Sequence, residues 1–175
     1  MSLKTSFAVV MVLCWLSLSV AAQEGLGPRP KRARTPEDYQ VGTLKELAAK
    51  AAGAESIGNK AETMVIDPDL SPTRVRATYG RSTAHIPDDK AEVIRQWARR
   101  YAGAPETYTK TYEVDVAFTE NETAYWLTLS KKTLDSLLKA DMTKPLDLFV
   151  IKMGAVKRGD NWTPVLLVES FQQSK

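Results

Sequence analysis

Apolar positions recur along this chain at two spacings, and the two spacings divide it into strands and helices. Tyr112, Val114, Val116 and Phe118 alternate with Glu113, Asp115 and Ala117, a period of two that sends one set to each face of a sheet. The polar run Thr119-Glu120-Asn121-Glu122-Thr123 breaks the pattern, and Tyr125, Leu127 and Leu129 then alternate with Trp126 and Thr128. Two alternating runs with a short polar connection read as a hairpin. Further on, Leu148 and Val150 face one way and Phe149, Ile151 and Met153 the other, so this strand is covered on both sides. Gly159-Asp160-Asn161 predicts a turn, and residues 165–171 predict the returning strand, with Pro164 confined to its start or to an edge.

Between these two pairs the period changes. Leu134, Leu137 and Leu138 fall at helical spacing after Ser130, a good N-cap, and Pro145 stops the helix. The strongest helix spans residues 88–102. Asp88 and Asp89 open it, Glu92 completes a cap, and Gly103 followed by Pro105 ends it. Its stripe of Ala91, Ile94, Trp97, Ala98 and Tyr101 reads as core, covering the outer apolar face of the sheet. Arg99 and Arg100 in its last turn complement the macrodipole. Upstream, Thr43-Leu44-Lys45-Glu46 is a capping box for a short Ala-rich helix that stops near Gly53. Residues 61–66 read as a short strand, ended by Asp67-Pro68-Asp69, and residues 73–79 as a longer one in which Val75, Ala77 and Tyr79 alternate with basic residues.

One strand, then two, a helix, and two more is the order of a five-stranded oligonucleotide/oligosaccharide-binding (OB) barrel. The predicted fold class is therefore α+β, a small OB-like antiparallel β-barrel or curled sheet with one long covering helix and an N-terminal short helix. A cystatin-like or nuclear-transport-factor-like curled sheet is the alternative architecture. The segments Tyr125-Trp126-Leu127, Leu148-Phe149-Val150-Ile151 with Gly154-Ala155, Trp162, and Leu166-Leu167-Val168-Glu169-Ser170-Phe171 also resemble small, mostly uncharacterised secreted bacterial domains of OB-like shape. That resemblance covers residues 112–171 and implies fold and bacterial origin. Its motifs are packing residues, so it brings no functional residue with it.

Residues 1–22 read as a secretory signal peptide, with Lys4 ahead of an apolar run and Val20-Ala21-Ala22 at the cleavage site. The run is short for a bilayer span, which needs about 20 apolar residues, and an uncleaved anchor is the alternative. No second long apolar run follows, so no transmembrane segment is expected after cleavage. Residues 23–42 form a Pro-rich basic linker, and residues 43–175 a single domain whose OB-like core spans about residues 73–171. A secreted or periplasmic location follows from the signal.

The single cysteine, Cys14, lies inside the signal, which leaves a domain with no thiol for disulfide, metal or nucleophile and a stability that rests on its core. The 24 Lys+Arg nearly balance the 21 Asp+Glu, which argues against a dedicated nucleic-acid binder. Charge is uneven, however. Arg29, Lys31, Arg32 and Arg34 cluster among prolines, a solvated tether or an arm for an anionic surface.

His85 is the only histidine, which excludes a poly-histidine metal site, and no G-x-S-x-G elbow or Gly-rich phosphate loop is present. No cofactor is expected. Asp67-Pro68-Asp69 is good turn chemistry with no further calcium ligands at loop spacing. Trp126, on the opposite strand face from Tyr125 and Leu127, and Trp162, in the last turn, are the candidate stacking aromatics, with packing beneath the long helix as the competing reading for Trp126. Arg74 and Arg76 are candidate ligand contacts. These features favour a secreted, non-catalytic binding module of the bacterial envelope whose partner is another envelope protein or a polymer. A hydrolase built on a carboxylate pair or on His85, and anionic-surface or nucleic-acid binding through the basic residues, are the alternatives.

Overall fold

The structure, a computed structural model, describes residues 34–52, 64–69 and 71–174. In chain order they form β1 (Gln40–Val41), α1 (Leu44–Ala52), β2 (Met64–Ile66), β3 (Thr73–His85), α2 (Asp88–Tyr101), α3 (Pro105–Thr111), β4 (Tyr112–Glu120), β5 (Thr123–Ser130), α4 (Lys131–Leu137), β6 (Leu146–Arg158) and β7 (Asn161–Gln173). The strands make one sheet in the order β1-β3-β4-β5-β7-β6-β2, and the first half of β3 also pairs with β6. Two of its joins, β1–β3 and β5–β7, are parallel.

This corrects the expected fold class. A small OB-like antiparallel barrel or curled sheet under one long helix does not describe a mixed seven-stranded sheet that carries four α-helices among the described residues. The reasons are physical. β1 and β2 are two and three residues long, too short to show a period. The second half of β3, Gly80 to His85, is wholly solvent-exposed, so no burial imposed an apolar alternation on it. α3 has no buried residue and hence no apolar stripe to announce it.

Where one face is buried, the periods hold. Val116, Phe118, Leu127 and Leu129 enter one core cluster together with Leu148 and Val150 of β6 and Leu44 and Leu47 of α1. α2 lays Val93, Ile94, Trp97 and Ala98 on Ile151, Met153 and Leu167, which makes it the cover of the opposite sheet face. Tyr112 is an exception to the alternation: a register shift between Tyr112 and Val114 sends its ring to the α2 side.

Local end signals also hold. Thr43 and Glu46 exchange bonds of 2.9 and 3.0 Å with each other's backbone N–H, and Glu120 adds a buried carboxylate that accepts from Leu44 N–H and Lys45 N–H. Ser130 Oγ accepts from Thr133 N–H at 3.0 Å. The β4–β5 connection shrinks to Asn121 and Glu122, both with positive φ, as a tight hairpin turn requires. Glu92 does not cap α2; it binds Gln96 and Arg95 along the helix, and Pro87 stands at the N-cap.

Candidate functional site

The site is set by a difference in strand length. β7 pairs with β6 along its full length, from Asn161↔Arg158 to Gln173↔Leu146. On its other side β5 reaches only Leu167 and Val168, because the chain leaves the sheet at Ser130 and winds into α4. Beyond Val168, that edge of β7 has no strand beside it among the described residues. α4 stands across the gap instead, and the space between them is a groove of about 420 Å³.

The groove is lined by Glu169, Ser170 and Phe171 of β7 and by Ser130, Lys132, Thr133 and Ser136 of the α4 side. Successive residues of a strand point to opposite faces. Three in a row can line one groove only if it runs along the strand edge, so the wall is backbone as much as side chain. The register between β6 and β7 also shifts at this point: Ser170 faces Phe149 and Val168 faces Val150, which leaves Glu169 as the extra residue. Such bulges re-aim side chains, here the one carboxylate of the groove.

Glu169 is held from the amino-terminal side. Arg34 Nη1 lies 2.8 Å from Oε2, and the Tyr39 hydroxyl donates to the same oxygen at 2.5 Å. Tyr39 packs its ring edge-on against Phe149, with centroids 4.8 Å apart. Both donors come from the chain just before β1, so the segment carrying Arg34 is fastened beside the groove. Burial, and then the Glu169 carboxylate, raise the Tyr39 phenol well above the ordinary tyrosine range. Burial likewise pushes Tyr112 up to about 12.

These two phenols predict an alkaline weakness. Both keep their protons to higher pH in the folded chain than in the unfolded one, whose tyrosines titrate near 10. They do not limit stability below about pH 10, and stability falls as pH rises from there toward 12 and beyond. Equilibrium unfolding measured from pH 9 to 12 is expected to show this decline, and Tyr112→Phe is expected to make it shallower. An unchanged slope would remove Tyr112 from the account.

The remaining sequence candidates lie elsewhere. Arg74 and Arg76 sit on β3, with Arg76 Nε 3.0 Å from Asp147. Trp126 is 43% exposed on β5, opposite Ala117 of β4, so its ring is not packed away beneath α2. Trp162 begins β7 at the far end from the groove, half-buried, with the Lys157 ammonium 6.0 Å from its ring centre. Arg29, Lys31 and Arg32, like the signal segment, lie outside the described residues. His85 ends β3, solvent-exposed and paired with Val114. Asp67 is bound to Lys152 at 2.6 Å and Asp69 caps its own turn at Ser71 N–H, so each carboxylate is engaged locally.

Sequence reading missed Glu169, Ser170 and Phe171 as a site. The available signal was a lone acidic residue interrupting the apolar strand of residues 165–171. No family model matches the chain, and neither does any curated protein.

Proposed function

We propose that the protein is an exported, non-catalytic binding module of the bacterial envelope, and that it engages a partner through the groove between β7 and α4. The observation that supports this most directly is the edge of β7 past Val168, which has no strand beside it among the described residues and borders an accessible groove. The predicted signal peptide and the resemblance to small secreted bacterial domains favour the envelope as its compartment. Among the described residues, no helix is long and apolar enough to cross a membrane.

Among the described residues, the buried charged groups are committed to the fold, and so is the half-buried Glu169, which favours binding over chemistry. Lys90 and Asp115 bind each other, Glu120 caps α1, and Glu169 holds the amino-terminal segment. Capture from envelope extract tests the reading. The chain from Gln23 and a chain from Ala33, which lacks Arg29, Lys31 and Arg32 but keeps Arg34 on Glu169, are compared at low and high salt. Retention of the same partner by both forms at both salts is the expected result. Retention by the longer form alone, lost at high salt, would move the function to Arg29, Lys31 and Arg32 and overturn the groove reading.

A further inference from the structure

The groove also indicates what class of partner it takes. We infer that it receives an extended peptide segment of a partner protein, which adds to β7 as one more strand and sets an acidic side chain against Lys132. This rests on the proposed binding role of the groove and goes beyond it by naming the ligand.

The open edge carries the inference. A strand edge offers N–H and C=O groups at regular spacing, and another extended backbone is the ligand that satisfies them in series. From Glu169 to Gln173 the open stretch is about 17 Å long at the usual rise per residue, enough for four or five peptide residues. The far wall suits the same occupant. Thr133 and Ser136 present short side chains to the groove. A strand bound between a sheet edge and a helix has its alternate side chains directed to different surroundings, which is a source of specificity.

Charge selects the kind of peptide. Glu169 is already offset by Arg34 at 2.8 Å, so its negative charge is compensated within the chain. Lys132 lines the groove, is solvent-exposed, and has no ion pair among the described residues. Lys131 precedes it and is also exposed. The uncompensated charge at the groove is positive, so an acidic residue in the peptide is complementary to it.

The test uses the whole chain from Gln23 and a displayed library of random peptides of roughly ten residues, long enough to span the open edge. Selected peptides are expected to share an acidic position, and the bound complex to show slowed amide exchange within residues 169–173. Ser136→Trp, an exposed position on α4, fills the groove and is expected to weaken binding at least about tenfold. Amide exchange in β6 of that variant reports whether the fold is intact. Lys132→Glu is expected to weaken acidic peptides several-fold and to shift selection toward basic ones.

Five results would overturn the inference. Peptides could bind with no response to Ser136→Trp in a folded protein, or without slowing exchange at residues 169–173. Protection of those amides could arise only with rising protein concentration, which would assign the edge to a second copy of this chain. Envelope polymer, and no peptide, could perturb residues 169–173; the groove would then stand as the binding site and the peptide class would fall. If no probe of any class perturbs those residues, the proposed function falls with it.

Discussion

Asp115→Ala is expected to lower the unfolding free energy by about 3–5 kcal/mol, a large share of the stability of a typical domain. The Lys90 ammonium lies 2.7 Å from Asp115 Oδ2, and the two side chains are only 2% and 5% exposed. Thr128 donates to the other carboxylate oxygen at 2.7 Å, and Lys90 also donates to the Trp126 carbonyl at 3.3 Å. Alanine would leave the ammonium buried with one neutral acceptor and no counter-charge. Replacing both partners, Lys90→Met with Asp115→Leu, is expected to restore most of the loss, because no buried charge then remains. Urea unfolding of wild type, both single variants and the double variant measures this. A double variant whose loss equals the sum of the two single losses would show that the pair is not coupled.

The pair also bears on how α2 is placed. An apolar helix stripe can settle on an apolar sheet face in more than one position. Lys90 ties the first turn of α2 to β4 and β5, and Asp89 beside it makes a two-bond pair with Arg158 of β6 at 2.8 and 3.0 Å. The Arg158 guanidinium holds the Asp89 carboxyl below the usual range. Asp89 therefore contributes above the ordinary carboxylate pKa and loses that contribution as pH falls through its own lower value.

Gly154→Ala is expected to cost about 2–3 kcal/mol, at the upper end for a single added carbon in a packed interior. A Cβ at this position would come within 2.0 Å of the Val65 carbonyl oxygen and 3.1 Å of Val93 Cγ1. Backbone oxygen cannot swing aside as a side chain can, so β2 would have to leave β6. Glycine also suits the positive φ here, where the β6–β7 register shifts. Denaturant unfolding gives the loss in stability. Amide exchange at Asp67, whose N–H donates to the Met153 carbonyl, reports whether β2 has detached. A variant with wild-type exchange there and unchanged stability would refute the packing argument.

How much of this was legible depends on the range of each interaction. The α2 stripe, the Thr43–Glu46 capping box, the Ser130 N-cap and the alternation in β4 to β7 all arise within a few residues, and the chain spells them out. Residues that share no local pattern did not show. Lys90 and Asp115 are 25 positions apart, and Arg34 and Glu169 are 135 apart. Nothing in the order of residues says that either pair will meet.

The candidate site follows the same division. The sequence by itself determined that β5 ends at a helix cap and that residues 165–171 form a strand, since capping and burial are read residue by residue; that this strand extends over Asn161–Gln173 came from the structure. Only the tertiary structure decided that these two strands are parallel neighbours, that the longer one therefore projects past the shorter, and that α4 stands across from the exposed edge. Strand order and register are set by long-range pairing, in which a shift of one residue exchanges every side chain between faces. A local pattern can specify which face is buried, but not which strand lies beside it.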